Sequence, residues 1–207
     1  RLAVVDRVDV ASSPVSISAN ETGSFACVAS LWSRRLTILE RKRSDIPERR
    51  IVRKKHQIDL PFAPRASAFV DASRVVVADS FGGRFAVVDC AAGVITASHE
   101  LPVHNIRDMT VGDDGRLYVT CQRLNPKGYT SSEDIHWGIL IENEILAVPV
   151  RSVLAANGQL VANVERIALG GPGNGAGDPE AVLVTPDRLL VTLAGTDELA
   201  VIDRVGV

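Results

Sequence analysis

Just ahead of a series of short apolar runs stand Arg65, His104, Asn105, Arg107 and Glu180. Guanidiniums hold anions, a glutamate can serve as general base, and an imidazole can shuttle protons or bind a metal. His136 and Trp137 sit in a long polar segment, and Trp32 in a short one. His104 and His136 lack a second Glu or His at ligand spacing, so they read as a strand-entry cap and a loop-packing residue rather than metal ligands. Glu180, Asn105 and Asp178 offer the hard oxygens of a calcium site. The matching positions elsewhere hold Ser13 and Arg65, so no metal is assigned. No Ser-His-Asp or Cys-His spacing supports a nucleophile. Cys27, Cys90 and Cys121 form no CxxC or CxxCH and read as buried strand cysteines.

Three further signals have ordinary explanations. The run from Gly170 to Gly177 lacks the Lys-Ser/Thr ending of a phosphate cradle and reads as a flexible connection. Eight Lys and Arg between 41 and 55 read as a solvated outer hairpin that resists edge pairing. Asp113-Asp114-Gly115 is a turn, since the rest of a calcium loop is missing.

The elements that must position these residues recur. Arg74–Asp89 reads RVVVADSFGGRFAVVD, and Arg188–Asp203 reads RLLVTLAGTDELAVID. The closing strand of this unit appears at 2–6, 36–40, 85–89, 146–150 and 199–203, at steps of 34, 49, 61 and 53 residues. Each unit opens with a second anchor: Pro14-Val-Ser-Ile, Pro64-Arg-Ala-Ser, Ile106-Arg-Asp-Met and Pro179-Glu-Ala-Val. Short strands a, b, c and d at a period near 50 residues indicate the blades of an all-β propeller. The chain reads as one propeller over 1–207, with repeats at about 1–10, 11–60, 61–102, 103–170 and 171–207. Residues 198–207 restate residues 1–10, so the chain starts and ends in the same phase with about four blades. That implies part of a seven- or eight-bladed ring rather than a four-bladed ring closed alone. Open blade edges then invite self-association. One helix is expected, at Val150–Asn157, and a long b–c insertion at Cys121–Asn143.

Strand-a entries and b–c loops share one face of a propeller. Arg65, His104, Asn105, Arg107 and Glu180 are expected at the mouth of the axial channel, with Trp32, His136 and Trp137 on the same face. Among 207 residues, 46% are hydrophobic but only 4% aromatic, so the core is built from Val, Leu, Ile and Ala. A net charge of -2 argues against nucleic acid, and no apolar run of 18 residues spans a membrane. The first residue is Arg, not Met, at the edge of an apolar strand, which implies processing or truncation.

The repeat resembles the YVTN/YncE-type propeller repeat, best at Ile106–Thr120 with its Asp114-Gly-Arg-Leu-Tyr-Val-Thr120 ending. The wider stretch Val103-His-Asn-Ile-Arg107, Gln122–Asn125 and Asp134-Ile-His-Trp-Gly138 resembles bacterial propellers fused to c-type cytochrome domains. That resemblance implies a periplasmic or extracellular envelope protein. Any c-type haem would lie in a neighbouring domain, with no cofactor in this segment. It also implies a non-catalytic scaffold that binds a protein or small ligand at the propeller face. The alternative is a lactonase-like propeller hydrolase, with Glu180 or His104 as general base at the axial mouth.

Overall fold

The computed structural model describes every residue except 1, 5, 44–49, 137, 157–159, 161–163, 172–173 and 205–207. Among the described residues, fifteen strands form four antiparallel sheets in chain order, and the chain is a β-propeller. Blade one is β1 (Pro14–Ala19), β2 (Phe25–Ser30), β3 (Arg35–Arg43) and β4 (Arg50–Asp59). Blade two is β5 (Pro64–Phe69), β6 (Arg74–Asp79), β7 (Arg84–Asp89) and β8 (Val94–Glu100). Blade three is β9 (Met109–Val111), β10 (Arg116–Leu124), β11 (Ile141–Pro149) and β12 (Glu165–Ala168). Blade four has three strands among the described residues: β13 (Pro179–Val184), β14 (Arg188–Leu193) and β15 (Glu198–Asp203).

Blades stack face to face, and the sequence pattern follows from that. Cys27, Leu36 and Ile38 of blade one meet Val75, Val77 and Val88 of blade two. The other face of blade two, with Val76, Phe85 and Val87, meets Leu117, Val119 and Leu146 of blade three. Tyr118, Ile145 and Ala147 of blade three meet Val182, Leu189 and Val191 of blade four. A sheet covered on both faces needs continuous apolar strands, which is why β6 is a valine run and not an alternating one.

Three expectations change. The closing strand expected at 2–6 is not seen among the described residues: 2–4 and 6 join no ladder, and Leu2 is 102% and Val4 79% exposed. A closing strand needs the amide groups of a strand b beside it, and no described strand pairs with these residues. The segment instead reaches blade one at Ala11, whose N–H donates to Thr37 Oγ1 at 3.3 Å and whose carbonyl accepts from Ser30 Oγ at 3.0 Å. The insertion expected over Cys121–Asn143 is shorter. β10 and β11 stay paired out to Leu124↔Ile141, because polar residues close their ladder as well as apolar ones do. An additional helix, α1 (Ser132–His136), lies in the remaining loop. The expected helix forms as α2 (Val150–Leu154), tied to blade two where the Val153 carbonyl meets His99 Nε2 at 2.7 Å; residues 157–158 of its expected end lie outside the described residues.

Candidate functional site

The site begins with a backbone irregularity repeated in every blade. Strand a opens on proline in blades one, two and four, where no N–H is available to the ladder. The register then slips between Pro14 and Ser16, between Pro64 and Ser67, and between Pro179 and Val182. In blade three, Arg107 N donates to the Thr120 carbonyl and Thr120 N to the Asp108 carbonyl, so two residues oppose one. These are bulges, and a bulge re-aims the side chain it carries. The first residues inside them are Val15, Arg65, Arg107 and Glu180.

Three of these four converge. Arg65 donates to Glu180 Oε2 at 3.2 Å, from blade two to blade four. Arg107 of blade three approaches Glu180 Oε1 at 3.6 Å. Their side chains are 26–37% exposed, so the cluster is half-buried. It carries two guanidiniums against one carboxylate, an excess of positive charge. A cation would have to compete with both arginines for Glu180. Among the described residues, no three His, Cys, Asp or Glu gather to hold a metal ion.

The strand-a backbones that present this cluster are zipped together by small polar groups. Ser16 Oγ donates to the Arg65 carbonyl at 2.5 Å, and Ser18 Oγ meets Ser67 Oγ at 2.9 Å. Thr120 Oγ1 donates to the Glu180 carbonyl at 2.8 Å, and Asp108 Oδ2 accepts from Val182 N at 3.0 Å.

Beside the cluster runs a chain of amides that links the predicted Asn105 and Asp178 through Gln122 and Asn143, which were not predicted. Asn105 Nδ2 donates to Gln122 Oε1 at 2.6 Å. Gln122 Nε2 donates to Asn143 Oδ1 and to Asp178 Oδ1, both at 3.0 Å. Asn143 Nδ2 donates to the Ala176 carbonyl at 2.5 Å. Asn105 and Asp178 are left-handed (φ 51° and 47°), as is Ser13 (φ 62°) at the matching entry of blade one. Non-glycine residues take this conformation at a cost, and such positions cluster in binding sites. Gln122 and Asn143 fall in the expected b–c insertion, yet they pair across β10 and β11.

Of the other candidates, neither His104 nor Trp32 makes a hydrogen bond or ion pair with Arg65, Arg107 or Glu180. His104 is exposed and pairs with Gln122 through the backbone, N–H to carbonyl in both directions at 2.7 and 2.8 Å. Trp32 is 70% exposed and stacks on Phe81, 52% exposed, with ring centroids 5.9 Å apart. Phe81 is fixed by Asp79, which accepts from Phe81 N at 3.1 Å and from Arg84 Nε at 2.9 Å. Gly83 in the same turn is obligatory, since a Cβ would fall 1.9 Å from the Leu101 carbonyl oxygen. His136 ends α1, but its side chain and all of Trp137 lie outside the described residues. Cys27, Cys90 and Cys121 are buried free thiols. Burial pushes all three up, Cys90 to about 12, which removes them as nucleophiles.

No protein-family model matches the chain, and no curated protein matches it by sequence. Solved structures do match in fold. Hydrazine synthase of Kuenenia stuttgartiensis aligns with a TM-score of 0.71 at 18% identity, over 92% of this chain and 52% of that one. The Cps50 (Swd1) β-propeller domain of Myceliophteria thermophila aligns with a TM-score of 0.59 at 10% identity, over 97% and 55%. A putative 6-phosphogluconolactonase of Bacteroides fragilis aligns with a TM-score of 0.58 at 13% identity, over 92% and 50%. The chain spans about half the length of each of these structures.

Proposed function

We propose that the chain is the binding face of a propeller in the bacterial envelope, and that it holds a protein partner or small ligand without performing chemistry itself. The observation that carries this reading is the convergence of Arg65, Arg107 and Glu180 from three blades, each delivered by a bulge. Polar groups displayed on loops and strand ends over a rigid frame are how such scaffolds recognise partners. The exposed Trp32–Phe81 pair adds aromatic contact area, the kind that anchors interfaces. Nucleic acid does not suit the acidic balance. Among the described residues no helix is long and apolar enough to cross a membrane.

Three finer points belong to the same proposal. The ring is completed to seven or eight blades, either by further blades or by self-association; the exposed Leu183, Leu199 and Val201 of blade four support this. The location is periplasmic or extracellular. A c-type haem, if carried, lies in a neighbouring domain. For these last two points the support is the sequence resemblance of 103–138 alone.

A second reading is a lactonase-like hydrolase at the axial mouth. Its support is the likeness in fold to putative 6-phosphogluconolactonases from two Bacteroides species. Against it, both oxygens of Glu180 face guanidiniums, which leaves the carboxylate poorly placed to take a proton from water. One assay separates the readings. Wild type should hydrolyse 6-phosphogluconolactone no faster than buffer. If it does turn over, and Glu180→Ala or His104→Ala lowers the rate by about 10²-fold with the fold intact, the scaffold reading fails. Photo-cross-linkers at Trp32 and His104 should capture partners in cells that make the protein, while cross-linkers at Asp113 and Asp187, in the opposite a–b turns, should not.

A further inference from the structure

The upper end of blade three holds a recess that the axial cluster does not use. It lies along β11, between the 125–140 loop and the glycine-bearing connection after β12, and encloses about 300 Å³. That is the lower end of the range for small-molecule sites. Ile139, Ile141, Ala168 and Ala176 form its apolar lining; Glu142 and Glu144 form the charged part. Gly170 is there for the backbone, since a Cβ would lie 2.6 Å from Ala176 N. Gly171 and Gly175 line the recess too, but a Cβ on either would meet nothing within 4 Å.

Charge decides what fits. Glu142 pairs with Arg123, and Glu144 with Arg166 and with Arg123 at 3.5 Å. Two carboxylates against two guanidiniums leave the recess near neutrality, so neither an ammonium nor a phosphate gains a net field there.

Hydrogen-bonding capacity narrows it further. The amide lining is already engaged: Asn143 with Gln122 and the Ala176 carbonyl, Asn125 with the Ile139 carbonyl and Lys127 N. The ion pairs use Glu142 Oε2 and Glu144 Oε1. Glu142 Oε1 and Glu144 Oε2 have no donor among the described residues, and the Glu144 side chain is only 4% exposed. A hydroxyl supplies what these oxygens lack, because it donates to a carboxylate without bringing charge. Burial pushes the Glu144 carboxyl up against the opposing pull of Arg166 and Arg123.

From this juxtaposition of a neutralised Glu/Arg cluster and an apolar wall we infer that the blade-three recess binds a neutral molecule with neighbouring hydroxyls on a small carbon frame, the chemistry of monosaccharides and polyols. This is independent of the axial-mouth reading. The test is an amide NMR titration of the whole chain with glucose and with xylitol, against ethylammonium and inorganic phosphate. The resonances of Glu144, Gly170, Gly171 and Gly175 should shift saturably with a neutral probe and with neither ion. Gly175→Phe, at a position open to a side chain, should abolish the shifts without changing the melting temperature. Glu144→Gln should weaken binding by about tenfold. Glu180→Ala should leave it unchanged, which keeps the two sites separable. Saturable shifts with an ion instead, no saturation with either neutral probe, or full binding by Gly175→Phe would each overturn the assignment.

Discussion

Blades two and four are written in nearly the same words and live in different surroundings. In β6 and β7 of blade two, Val75, Val76, Val77, Val87 and Val88 are all 0% exposed. In β14 and β15 of blade four, Leu189 and Val191 are buried, but Leu199 is 57% and Val201 52% exposed. Val87 and Val201 occupy the same place in the repeat. The difference lies in the neighbours: among the described residues, blade two packs against blades one and three, and blade four against blade three. A propeller blade therefore specifies two apolar faces whether or not both are covered within the described residues.

The largest test of this comparison is a charge at the shared position. Val87→Asp buries a carboxylate with no partner and should cost more than about 4 kcal/mol, enough to prevent folding. Val201→Asp should change stability by no more than about 0.5 kcal/mol. It should also abolish any concentration-dependent self-association seen by sedimentation. A large loss of stability in Val201→Asp would mean that the face is covered within the chain.

Thiol labelling sharpens the same contrast. Cys27, Cys90 and Cys121 lie buried between or within covered blades, with burial raising each thiol. Native protein should resist a thiol reagent and react only on unfolding, whereas Val201→Cys should label at once. Fast labelling of the native wild type would show the covered interfaces to be open.

The smallest effect is on acid stability, at the turns. Burial alone would raise Asp114, but the Tyr118 hydroxyl, Arg116 N and Arg204 together hold it below its usual 3.8. Asp71 likewise falls below 3.8, as Ser73 N and Arg74 outweigh burial. A carboxyl lowered on folding stabilises the fold above its unfolded value, and that contribution is lost as pH drops through the folded value. Stability should therefore decline below about pH 4, and Asp71→Asn and Asp114→Asn should each flatten that decline in urea melts. An unchanged acid limb in both variants would remove the turns from the account.

The fold was largely legible because the repeat is. Pro64-Arg-Ala-Ser and Pro179-Glu-Ala-Val align, so Arg65 and Glu180 must occupy equivalent positions, and equivalent positions in a ring face one axis. Legibility ended where polar residues took strand conformation. Gln122 and Asn143 carry loop-like side chains, yet they pair across β10 and β11. The amide chain between Asn105 and Asp178, and the Glu144–Arg123–Arg166 cluster, followed from that pairing.

The sequence by itself determined the blades, their order and the valine runs, because apolar pattern and turn residues act over a few positions at a time. Only the tertiary structure decided that Glu180 would sit between Arg65 and Arg107, that the described residues of 2–6 would find no ladder, and that a recess would open beside Glu144. Those outcomes depend on the distance between blades and on what covers each face. Chain segments far apart in sequence set both, as the 115-residue separation of Arg65 and Glu180 illustrates.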